Sequence, residues 1–202
     1  MGGRVSEVGL LAVKFGNLQK PDVRIIHIAS DKTENNGALL SSTMVTNLMM
    51  DEAIEILEDS GYVNTEHLSF CGYSGGGKKA LEYGAYVMTR DKNPYCPQSV
   101  VLVSTTWSDK KATAEWAGEL SEAGVPIIAS YLTSDVQDTK DFANENIRNS
   151  LYGDPIVVDS NVGHGGAPWA IFTEDKNEDG KGNKKSDLFE IMEQAIQENK
   201  KK

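Results

Sequence analysis

Short apolar runs rich in β-branched residues alternate along this chain with longer segments whose apolar positions recur at helical spacing. The runs are 23–29 (VRIIHIA), 67–71 (HLSFC), 99–104 (SVVLVS), 125–132 and 155–158, each of strand length. Between them, 44–60 carries Met50, Ala53, Ile54 and Leu57 on one helical face and stops at Gly61. A helix running to about Arg90 has Ala80, Gly84 and Ala85 for close packing on a sheet. The segment 109–123 places Trp116, Ala117 and Leu120 together before Gly124, 138–152 precedes Gly153, and 187–199 carries Leu188, Ile191, Met192, Ala195 and Ile196 on its apolar side. An apolar stretch at 8–15 is a candidate edge strand, and 30–43, with Asn35, Asn36 and Gly37, reads as a polar loop. The run 99–104 is almost wholly apolar, as a strand covered on both faces must be. Strands alternating with helices predict an α/β fold, a mostly parallel sheet with helices on both faces. With neither an internal repeat nor a long linker, residues 1–202 read as a single domain.

Composition adds exclusions. At 39% hydrophobic and 25% charged residues the chain is globular, and a formal net charge of −10 argues against a nucleic-acid ligand, which needs clustered Lys and Arg. The basic run Lys200, Lys201, Lys202 reads as a solvated tail. No apolar run reaches the length of a membrane span. A secretory leader is not evident, so the expected compartment stays open between cytoplasmic and secreted after leader removal. Cys71 and Cys96 fall at opposite ends of successive strands, which predicts two free thiols.

The chemistry concentrates at 67–80, HLSFCGYSGGGKKA. Gly72, Ser74 and Gly76 form G-x-S-x-G between a predicted strand and a predicted helix. A serine forced into so sharp a turn needs neighbours without a Cβ where the backbone doubles back. The turn would lift the Ser74 hydroxyl clear of the sheet edge, with the Gly75 N–H pointing at the same spot as an oxyanion donor. The same residues, from Gly72 to Lys78, fit seven positions of the phosphate-binding G-x-x-x-x-G-K-[ST]. The eighth is Lys79, which offers no hydroxyl for Mg²⁺. That reading would also need a Walker B acid, for which 156–159 (IVVD) is the candidate.

With this elbow the chain resembles the α/β-hydrolase family, over about 23–199 in architecture. The resemblance implies a three-layer α/β-hydrolase-like fold, small and lidless, and a nucleophile, acid and base following in that chain order. A serine nucleophile needs a base to take its proton and a carboxylate to orient the base. Of three histidines, His27 and His67 precede Ser74, which leaves His164 in NVGHGGAP, flanked by Gly163, Gly165 and Gly166. For the acid, Asp135 follows a strand directly. Asp138 reads more simply as a helix cap, Asp109 follows the preceding strand, and Asp159 could flank His164. The family's second oxyanion donor lies after the strand at 23–29. Ala29, Ser30 and Asp31 stand where many members carry a His-Gly pair, and Ser30 is the candidate.

The implied activity is a carboxylic-ester hydrolase of esterase or lipase type acting on a small-molecule ester through an acyl-enzyme, with no cofactor required for catalysis. A thioesterase or acyl peptidase is the alternative within the fold. A P-loop nucleotide hydrolase or a non-catalytic binding domain is the alternative outside that chemistry. Separately, Asp175, Asn177, Asp179 and Gly180 make D-x-N-x-D-G, the first half of a calcium loop, with Lys181 next and Asp187 one residue beyond the expected last ligand. It is a candidate structural Ca²⁺ site or a solvated turn.

Overall fold

The computed structural model describes residues 33–34, 38–39, 43–61, 68–91, 94–106, 109–167, 171 and 188–199. The candidate strands at 8–15 and 23–29 lie outside them. Two short strands, β1 (Thr33–Glu34) and β2 (Ala38–Leu39), pair antiparallel, so the stretch expected to be loop contains a hairpin pairing. They flank Asn35, Asn36 and Gly37, residue types that hairpin connections favour. Then come α1 (Thr43–Asp59), β3 (Ser69–Tyr73), α2 (Gly75–Thr89), β4 (Ser99–Val103), α3 (Lys110–Glu122), β5 (Ile127–Leu132), α4 (Gln137–Asp141), β6 (Ile156–Val158) and α5 (Leu188–Asn199). Strands β3-β4-β5-β6 form one parallel sheet in that order, so this is an α/β protein.

Two elements differ from the sequence reading for identifiable reasons. Strand β3 continues through Gly72 and Tyr73, because the ladder with β4 pairs Ser69 with Ser99 and runs on to Tyr73 with Val103. The expected helix 138–152 breaks into α4, a π turn (Phe142–Asn146) and a 3₁₀ turn (Arg148–Ser150). Phe142 and Ile147 are both buried in one core cluster. Residues five apart on an α-helix point about 140° away from each other. The wider turn, closed by Ile147 N–H donating to the Phe142 carbonyl at 3.2 Å, brings them to the same side.

Burial follows the two-residue period of the strands. Val100 and Leu102 of β4, with Ile127, Ala129 and Tyr131 of β5, join Met50 and Ile54 of α1, Leu81 and Val87 of α2 and Leu120 of α3. The alternate residues Val101, Val103, Ile128 and Leu132, with Val158, form a second cluster with Ala167, Ile171 and Ala195 of α5. Every residue of β4 and β5 is buried. Cys71 and Cys96 are free thiols, as expected.

Helix α1 is fastened to α2 by one carboxylate. Asp51 accepts from the Tyr83 hydroxyl (2.8 Å), the Tyr86 hydroxyl (2.8 Å) and Arg90 (2.8 Å), whose guanidinium also lies 5.2 Å from the Tyr95 ring centre. Burial pushes the Tyr95 phenol up to about 12 and raises that of Tyr83 as well, so both rings stay neutral under ordinary conditions. The Arg90 side chain is only 5% exposed. Removing the carboxylate takes a charged partner from a nearly buried cation and an acceptor from two phenol hydroxyls at once. Asp51→Ala is therefore expected to cost about 3 kcal/mol in urea denaturation, and a loss under about 1 kcal/mol would mean that water replaces the carboxylate.

Candidate active site

The turn between β3 and α2 is a single residue. Ser74 has φ 54 and ψ −129, a conformation a side chain adopts only under constraint. Its N–H donates to the Val103 carbonyl of β4 at 3.0 Å, which extends the ladder one step beyond the strand. A Cβ at Gly72 would stand 2.1 Å from the Gly76 carbonyl oxygen, so the doubling back of the chain requires glycine there. On the next turn Gly77 lies against Thr105, whose Oγ would be 1.8 Å from an added Cβ. Gly75 opens α2, where no preceding carbonyl is in register for its N–H, and nothing stands within 4 Å of where its side chain would be.

Ser74 Oγ is 2.9 Å from His164 Nε2, and His164 Nδ1 is 2.8 Å from Asp135 Oδ1. The three residues come from the ends of β3 and β5 and from the loop after β6. The Asp135 side chain is fully buried and that of His164 is 26% exposed. On its other oxygen, Asp135 Oδ2 accepts the Leu132 N–H at 2.8 Å and the Ser104 hydroxyl at 2.6 Å. A carboxylate only accepts, so Nδ1 carries the imidazole proton and Nε2 is left to accept from the Ser74 hydroxyl.

The loop that carries His164 is fastened residue by residue. The Thr133 hydroxyl meets Asp159 at 2.9 Å, and Gly163, at φ 70, donates its N–H to Ser134 Oγ at 3.1 Å. The Tyr73 hydroxyl donates to the His164 carbonyl at 2.7 Å, and the two rings stack with centres 5.3 Å apart. His164 is thereby tied both to the turn that holds Asp135 and to the strand that ends just before Ser74.

The other candidate acids stand elsewhere. Asp109 caps α3, accepting from the Ala112 N–H at 3.1 Å. Asp138 is not the cap expected of it: Val136 holds that position, and Asp138 sits exposed in the first turn of α4. Asp159 is taken by Thr133. Ser30, His27, His67 and the calcium-loop residues Asp175, Asn177, Asp179, Lys181 and Asp187 lie outside the described residues. Among the described residues no group of three or more His, Cys, Asp or Glu is placed to hold a metal ion. No helix among them is long and apolar enough to cross a membrane. Tyr73, Ser104 and Ser134 escaped the sequence reading. Tyr73 sat unweighed inside the motif, and the two serines carry no local signal because their partners come from other strand ends. No family model matches the chain, and no curated protein matches it significantly.

The elbow itself is testable. Gly72→Ala drives a methyl into main chain that has no room to yield, and overpacking of this kind costs about 1–3 kcal/mol. The expected outcome is a lowered thermal midpoint and a displaced Ser74. A Gly72→Ala protein with unchanged melting would show the turn to be looser than the 2.1 Å approach implies.

Proposed function

We propose that this protein is a serine hydrolase of the α/β-hydrolase kind, with a helix-covered three-layer sheet, acting on carboxylic esters. The observation that carries the reading is the row from Ser74 Oγ through the His164 ring to Asp135, with hydrogen-bond distances of 2.9 and 2.8 Å. In the proposed cycle Ser74 Oγ attacks the ester carbonyl carbon as His164 Nε2 takes its proton. The imidazolium is stabilised by Asp135, and the developing oxyanion is met by the Gly75 N–H and by a second donor, for which Ser30 is the candidate. His164 then gives its proton to the leaving alkoxide, which departs as alcohol and leaves the acyl-enzyme. Water, deprotonated by His164, attacks the acyl carbon, and the proton returns to Ser74 as the carboxylic acid leaves. Thioesters and activated amides present the same carbonyl and are the alternative substrates.

The nucleotide-hydrolase reading has less support. A phosphate cradle needs several consecutive loop N–H groups. Here Gly72 and Tyr73 belong to β3, and the helix already starts at Gly75. Lys78 lies 5.8 Å from the Trp116 ring centre and Lys79 pairs with Glu82 at 2.8 Å.

A fluorophosphonate probe should label Ser74, and Ser74→Ala should abolish both labelling and p-nitrophenyl ester hydrolysis with the melting temperature unchanged. Asp135→Asn should lower kcat on the order of 10⁴-fold with little change in KM, since it presents the wrong hydrogen-bonding face to Nδ1. Asp138→Asn should leave kcat alone and cost under about 1 kcal/mol of helix-dipole stabilisation. Unlabelled wild-type protein, or equal kinetic effects of the two aspartate changes, would overturn the assignment.

A further inference from the structure

Ser104 stands directly after β4 with φ 44, one of two non-glycine residues among those described that have positive φ. Glycine occupies that region freely, whereas a serine there is strained. Its side chain is completely buried and too small to add much apolar packing. What serine brings that glycine lacks is the hydroxyl, and that hydroxyl donates to Asp135 Oδ2 at 2.6 Å. The Ser104 N–H meanwhile donates to the Ser130 carbonyl of β5 at 2.7 Å, so the backbone is held independently of the side chain.

The consequence lies in the plane of a carboxylate. The terminal torsion of an aspartate is broad, with no sharp staggered wells to hold it. With both Leu132 N–H and Ser104 O–H on Oδ2, the group is held from two directions and Oδ1 is left facing His164 Nδ1. With Leu132 alone, the plane can swing about a single hydrogen bond. We infer that Ser104 is a positioning residue, whose hydroxyl locks the Asp135 carboxylate in the plane that serves His164. Its kinetic consequence rests on the hydrolase reading; the orientation of the carboxylate does not.

The test compares Ser104→Gly, which suits the backbone and lacks the hydroxyl, with Ser104→Ala, which lacks the hydroxyl and keeps the strain. Ser99→Ala is the control. It removes another buried β4 hydroxyl, bonded to Ser69 Oγ at 2.8 Å, from the far end of the strand. Both Ser104 variants should lose roughly 10-fold in kcat on a p-nitrophenyl ester with KM within about two-fold, as misplacement of a catalytic group produces. In both, the low-field Nδ1 proton of His164, assigned by its absence in His164→Gln, should move upfield and broaden, with Ser104→Gly melting higher than Ser104→Ala. An unmoved proton and undiminished kcat in Ser104→Gly would overturn the inference, as would a kcat that Gly restores and Ala loses in step with melting. If the wild type labels at Ser74 while the proton stays put, this inference fails alone. If the proton moves but no ester is cleaved, the positioning role stands and the hydrolase reading falls.

Discussion

A carboxylate taken wholly out of water is the constraint around which this site is arranged. Removing an ionised group from solvent costs several kcal/mol even after relaxation, and only well-placed donors offset it. Asp135 has three, and they come from different parts of the chain: Leu132 at the end of β5, Ser104 at the end of β4 and His164 beyond β6. Sliding any of these strand ends would strip a donor from a charge that cannot reach water. The fit among the three segments is therefore coupled, and the strand register of the sheet is under electrostatic as well as hydrophobic control.

The two strained serines belong to the same scheme. Ser74 and Ser104 each follow a strand directly and each adopts a positive φ, at a cost of about 1–3 kcal/mol apiece. Such strain persists only where the surroundings over-determine the backbone. Here Ser74 N–H reaches Val103 and Ser104 N–H reaches Ser130, so the parallel ladder holds each residue one step past the point where its strand ends. Thr133 does the same with Val158 on β6. Three successive strand ends are stepped against each other, and the side chains of the site are hung on those steps.

The parallel sheet and its helices were legible because strand burial on both faces leaves an unbroken apolar run such as SVVLV, which no exposed segment can imitate. The grouping of Ser74, Asp135 and His164 was open to chain-order reasoning, since each follows its own strand. Ser104, Ser134 and Tyr73 were not, because a serine after a strand looks the same whether its hydroxyl meets water or a carboxylate. The helix at 138–152 misled for a related reason. Its composition is helical throughout, and only the demand that Phe142 and Ile147 share one core pocket distorts it into wider and tighter turns. Long-range partners, not local propensity, decided both.

The acid and the base are held by different kinds of force, and that difference suits the chemistry proposed for them. Asp135 is sealed in by a charge that cannot afford to lose a partner. Beyond its bond to Asp135, the His164 backbone is held through neutral hydroxyls, on Tyr73 directly and on Ser134 and Thr133 through Gly163 and Asp159 of the loop before it. Each such bond contributes about 1 kcal/mol net. Together they favour the attached loop over a detached one by a factor of about 10², which helps to keep the imidazole in line. Hydrogen bonds to neutral partners also lose little to salt screening. With its side chain 26% exposed beside a carboxylate that is fully buried, His164 stands at the border of the protein. In the proposed cycle, a proton taken from Ser74 would leave with the alcohol or return from a water on this exposed side, while the buried carboxylate holds the compensating charge fixed.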